Sequence, residues 1–71
     1  MNEKELKNHT VRALELWYGM TPCKKNMIIK DCYLNEKGFG HYYVKVRHID
    51  YKIHIIEDTI RKDLYHVTRI D

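Results

Sequence analysis

Phe39-Gly40-His41-Tyr42-Tyr43-Val44-Lys45-Val46-Arg47-His48-Ile49-Asp50-Tyr51-Lys52-Ile53-His54-Ile55-Ile56-Glu57 decides the fold. Apolar and polar residues alternate with period two from Phe39 to Arg47, and again from Tyr51 to Glu57. That is the pattern of strands with one buried face. A one-residue slip would turn a strand's whole apolar set outward, so Val44 and Val46 must share a face with Tyr51, Ile53 and Ile55. A two- or four-residue loop around His48-Ile49-Asp50 satisfies that condition, and a three-residue loop does not.

Upstream, Asn26 to Leu34 is rich in Ile, Met, Cys and Tyr and ends in the polar turn Asn35-Glu36-Lys37-Gly38. Pairing Leu34 with Phe39 sets Ile29 opposite Val44, Met27 opposite Val46, Lys30 beside Tyr43 and Cys32 beside His41. In this register Asp31 falls on the buried side, which a bulge at that point would correct. Further upstream, residues 3 to 18 read as a helix. Leu6, Thr10, Ala13, Leu14 and Trp17 recur at helical spacing, with Lys4, Asn8, Arg12 and Glu15 opposite. Asn2 is placed as N-cap with Glu5 three residues on, Glu3 and Lys7 form an i,i+4 pair, and Gly19 and Pro22 end the helix.

Downstream, Leu64-Tyr65-His66-Val67-Thr68-Arg69-Ile70 is dense in β-branched and aromatic residues and favours a fourth strand. The alternative is a helix capped by Asp58 and carrying Ile60, Leu64 and Val67. The expectation is one α+β domain over residues 1–71, its N-terminal helix on one face of a three- or four-stranded antiparallel meander. The preferred order is α-β-β-β-β, with α-β-β-β-α as the alternative. Leu6, Ala13, Leu14 and Trp17 are expected to lie on Ile29, Val44, Val46, Ile53 and Ile55.

The 71 residues leave no room for a second core. Mixed charge, with thirteen Lys and Arg against ten Asp and Glu, places the chain among globular proteins. The absence of a long apolar run argues against a membrane span. The charged start Met1-Asn2-Glu3-Lys4-Glu5 does not resemble a secretory signal, so a soluble cytoplasmic protein is expected. Cys23 and Cys32 are read as reduced. There is no Ser, which excludes serine nucleophiles. Lys, Ile, Asn and Tyr make up over a third of the chain and have AT-rich codons, consistent with a phage or mobile element of an AT-rich bacterium.

The sheet face turned away from the helix is expected to carry Lys30, His41, Tyr43, Lys45, Arg47, Lys52 and His54, with no acid. Clustered cations attract phosphates or acidic protein surfaces, and a tyrosine ring can stack on a base or anchor an interface. The bland alternative is a solvated face whose lysines oppose edge-to-edge aggregation. Lys30, Tyr43, Lys45, Arg47, Lys52 and His54 are therefore the candidate binding residues. Cys23, Cys32 and His41 are nine apart, with no C-x-x-C or H-x-x-x-H pair, so no metal and no cofactor is expected. His41 and His54, with Lys45 and Arg47 nearby, have the residue types of a metal-independent ribonuclease, one imidazole as base and the other as acid.

Arg47-His48-Ile49-Asp50-Tyr51-Lys52, after Gly40-His41-Tyr42-Tyr43 and before Glu57-Asp58, resembles the central hairpin of the RelE and ParE toxins. That resemblance implies a ribonuclease toxin. It covers roughly residues 40 to 58, has Ile49 where the turn glycine stands, and lacks the opening strand and second helix. The α-β-β-β-α alternative resembles double-stranded RNA-binding domains, with Gly38 and His41 ahead of a strand but no Lys-Lys pair to grip phosphate. Neither likeness assigns a family. The leading expectation is a small non-catalytic protein, monomer or homodimer, that docks on and inhibits a larger host macromolecule, in first place a protein with an acidic surface. Such a protein suits a phage acting on a host replication, transcription or defence protein. A nucleic-acid-binding module is second and the RelE-like ribonuclease third.

Overall fold

The computed structural model describes residues 2–57 and 64–70. Helix α1 spans Glu3–Tyr18. A single 3-10 turn, Lys24–Asn26, leads into β1 (Met27–Leu34), followed by β2 (Gly40–Val46), β3 (Ile49–Ile56) and β4 (Leu64–Ile70). The strands form one antiparallel sheet in sequential order β1-β2-β3-β4, so the preferred α-β-β-β-β reading holds. The fourth element is a strand, not a helix. Asp58 and Ile60, on which the helical alternative leaned, lie outside the described residues.

The helix is bounded as its sequence demands. Asn2 Oδ1 accepts the Glu5 backbone N–H at 2.9 Å, satisfying one of the donors orphaned at a helix start. Gly19 ends it at φ 62, its N–H returning to the carbonyl of Glu15. Glu3 and Lys7 pair at 3.6 Å. Leu6, Thr10, Ala13 and Leu14 are buried against Met27, Tyr42, Val44, Val46, Tyr51, Ile53, Ile55, Tyr65 and Val67 of the sheet, with Ile29 partly buried at its margin.

Trp17 departs from the expected core set. It is 43% exposed and lies at the edge of β4, where its indole N–H donates to the Tyr65 carbonyl at 2.9 Å. An indole N–H buried in the apolar layer would go unbonded, whereas a strand edge offers acceptors. The polar groups under the helix are matched to one another. The Tyr42 hydroxyl lies 2.7 Å from Thr10 Oγ1 and 3.2 Å from the Leu6 carbonyl, to which Thr10 also donates at 2.8 Å. Burial pushes the Tyr42 phenol well above the ordinary tyrosine range, so it stays protonated as this network requires.

The β1–β2 register matches expectation at Met27–Val46, Ile29–Val44 and Lys30–Tyr43 and then shifts by one. At the turn end Leu34 pairs with Gly40, not Phe39, and Asn35 closes the loop by donating to the Phe39 carbonyl at 2.7 Å. A bulge at Asp31-Cys32 absorbs the extra residue. Asp31 takes φ 44 and is exposed, so the bulge removes the buried carboxylate that a regular ladder would have imposed. It also replaces Cys32 with Tyr33 as the partner of His41.

Between β2 and β3 the loop is two residues long, Arg47 and His48, with Val46 paired to Ile49. Arg47 is thus a turn residue, not a strand residue, and holds φ 60, where a side chain costs about 1–2 kcal/mol. Arg47→Gly is expected to raise stability by about 0.5–1 kcal/mol, the relieved strain exceeding the added freedom of the unfolded chain. A melting temperature a few degrees higher would show it, and a lower one would contradict the turn geometry.

Candidate functional site

Among the described residues α1 covers one side of the sheet and none covers the other, which the register arranges in cross-strand rows. One row is Ile28, Lys45, Asp50 and Ile70; the next is Lys30, Tyr43, Lys52 and Thr68; the third is Tyr33, His41, His54 and His66. Lys30, Tyr43, Lys45, Lys52 and His54 are therefore brought together on one surface. Arg47 joins them only at the end. With Lys25, Asn26, Ile28 and His48 it lines a depression of about 440 Å³ beside the β2–β3 turn.

The face is not free of acid, as had been expected. The two-residue loop makes Asp50 the second residue of β3, directly opposite Lys45, and Lys30 Nζ approaches Asp50 Oδ1 at 3.6 Å. Both side chains are about 40% exposed (43% and 42%), so the pair contributes at most about 1 kcal/mol. Asp50 Oδ1 is shielded from solvent with no hydrogen-bond donor in range, the Lys30 ammonium lying just beyond that distance. Three lysines against one aspartate leave the face positive, with the acid in the row nearest the β2–β3 turn.

Two further features lay outside the sequence reading. Large apolar side chains flank the lysines: Ile28 is 57% exposed, Tyr33 60% and Ile70 40%. Ring contacts also converge on His41. Tyr33 and His41 have centroids 5.0 Å apart, His41 and Tyr43 5.8 Å, and His41 and His54 6.4 Å. Tyr33 reaches this row only through the bulge, which alternation does not reveal. Asp50 follows from the β2–β3 loop length and Ile70 from the β3–β4 pairing.

Cys23 and Cys32 are free and exposed. Among the described residues no three His, Cys, Asp or Glu side chains are grouped so as to hold a metal ion. No helix among them is long and apolar enough to cross a membrane. No family model, curated protein or solved structure gives a match to this chain.

Proposed function

We propose that this chain is a non-catalytic binding protein that docks through its open sheet face on an acidic surface of a larger protein and inhibits it. The observation that carries the reading is the makeup of that face. Lys30, Lys45 and Lys52 surround Tyr43, with exposed Ile28, Tyr33 and Ile70 at the margins. Aromatic and aliphatic anchors desolvate against a protein, and cations on the same patch select an acidic partner and speed encounter. A nucleic acid backbone makes little use of exposed isoleucines, and the Asp50 carboxylate beside Lys45 repels phosphate. Inhibition by occlusion needs nothing more than a small rigid surface. A phage or mobile-element origin, suggested by the coding bias, would make the partner a host protein of the bacterial cytoplasm.

The test is capture from a bacterial lysate, without nuclease treatment, with wild-type protein and with Lys45→Glu/Lys52→Glu, both checked for folding by circular dichroism. Like charges brought together at an interface cost several kcal/mol, so the double variant is expected to hold a stoichiometric protein partner about tenfold or more weakly. Recovery of RNA or DNA alone, with affinity falling steeply as salt rises, would overturn this reading in favour of a nucleic-acid module.

A further inference from the structure

His41, His54 and His66 occupy directly opposed positions on three adjacent strands of the open face. Such pairs are not equivalent, because an antiparallel ladder alternates bonded and non-bonded pairs. In a two-residue hairpin the residues flanking the turn exchange hydrogen bonds, here Val46 and Ile49. Counting inward, Val44–Tyr51 and Tyr42–Ile53 are bonded pairs, while Lys45–Asp50, Tyr43–Lys52 and His41–His54 are non-bonded. Each strand residue points its backbone groups to one side, so His54 bonds toward β4, making His54–His66 a bonded pair and directing Tyr65 outward. The Trp17 indole bond to the Tyr65 carbonyl agrees with that count.

Non-bonded pairs have Cα atoms about 4.5 Å apart against about 5.5 Å for bonded ones, so their side chains come closer. His41 and His54 therefore form the narrow pair. Their ring centroids are 6.4 Å apart at 85°, and Tyr33 and Tyr43 pack against His41. His54 is exposed. His66 stands on the wide side of His54 with its ring against Trp17, centroids 5.1 Å apart. Two imidazoles bound to one metal at about 2.0–2.1 Å place their ring centres roughly 5 Å apart at a tetrahedral angle. Closing the pair by little more than about 1 Å, through rotation of the exposed ring, reaches that geometry.

We propose that His41 and His54 form a cross-strand chelate for one borderline transition-metal dication, Zn²⁺, Ni²⁺ or Cu²⁺, with water completing its coordination. Imidazole suits these ions, whereas Mg²⁺ and Ca²⁺ prefer oxygen ligands. Two ligands beside lysines make this an open, moderate-affinity site, unlike the closed four-ligand structural zinc sites that the cysteine and histidine spacing argues against.

The test titrates the untagged full-length chain with NiCl₂ and with ZnCl₂, reading stoichiometry by calorimetry and the histidine ring signals by NMR. One ion per chain is expected, with the His41 and His54 rings responding first and MgCl₂ without effect. His41→Ala and His54→Ala are each expected to weaken binding about tenfold or more, as loss of even an outer-sphere partner of a metal costs 10–100-fold. His66→Ala and His48→Ala are expected to bind as wild type does. Absence of saturable binding, binding that survives both His41→Ala and His54→Ala, or binding lost in His66→Ala but kept in His41→Ala would overturn the proposal. Circular dichroism of each variant separates lost ligands from lost folding.

Discussion

Leu14→Ala is expected to lower the unfolding free energy by about 3–5 kcal/mol, measured by urea denaturation followed by far-ultraviolet circular dichroism. Leu14 is fully buried, among the largest side chains that are, and belongs to α1, which packs on the sheet. Truncating it removes the isopropyl end of the side chain from the apolar layer and leaves a cavity. The fully buried Val44 and Ile53 of the same core cluster are strand residues held by their ladders and cannot freely move in to fill it. A domain of this size is stable by only roughly 4–10 kcal/mol, at about 0.05–0.15 kcal/mol per residue. The variant should therefore be partly unfolded near body temperature. A loss under about 1 kcal/mol would show that α1 does not cover the sheet at this residue.

Gly40→Ala is expected to be as damaging, by about 3–5 kcal/mol, through backbone alone. Gly40 has φ 132, a region L side chains rarely adopt. A Cβ there would stand 2.3 Å from the Tyr33 carbonyl oxygen and 3.2 Å from the Leu34 Cα. Both obstacles are main chain, so no rotamer change relieves the clash, and β1 must be pushed off β2. The loss should be localised: amide exchange is expected to quicken in Met27–Leu34 before it does in β3. Stability within about 0.5 kcal/mol of wild type would contradict the close approach of these strands.

Much of the architecture was legible because local signals agreed. Asn2, Glu5 and Gly19 each bound the helix with a specific hydrogen bond or backbone conformation, and these were met. The apolar pairs Met27–Val46 and Ile29–Val44 followed from period-two alternation, which admits one arrangement of faces. The turn end of β1 was not legible. Two opposite offsets, a closure at Asn35–Phe39 and a bulge at Asp31, cancel in the strand's first half and are visible only between them. Asp31 itself was the sign, since a carboxylate on a buried stripe forces either a bulge or a different register.

The open face was read in composition but not in balance. Lys30, Tyr43, Lys45, Lys52 and His54 lie together as alternation required. Asp50 entered because both loop lengths consistent with the valines were admissible, and only the shorter places it in the strand. Arg47 fell in the turn because β2 ends at Val46, one residue before the alternation does. Trp17 was misplaced because helical spacing records which side a residue faces, not whether the sheet extends beneath it.

Amine footprinting of the complex with the captured partner tests the docking face most directly. Lysine acylation, read by mass spectrometry with and without partner, should be suppressed at Lys30, Lys45 and Lys52 while Lys4 on the outer side of α1 keeps its reactivity. Unchanged labelling of the three sheet lysines, with protection appearing on the helix instead, would contradict the assignment of the open face as the surface that binds.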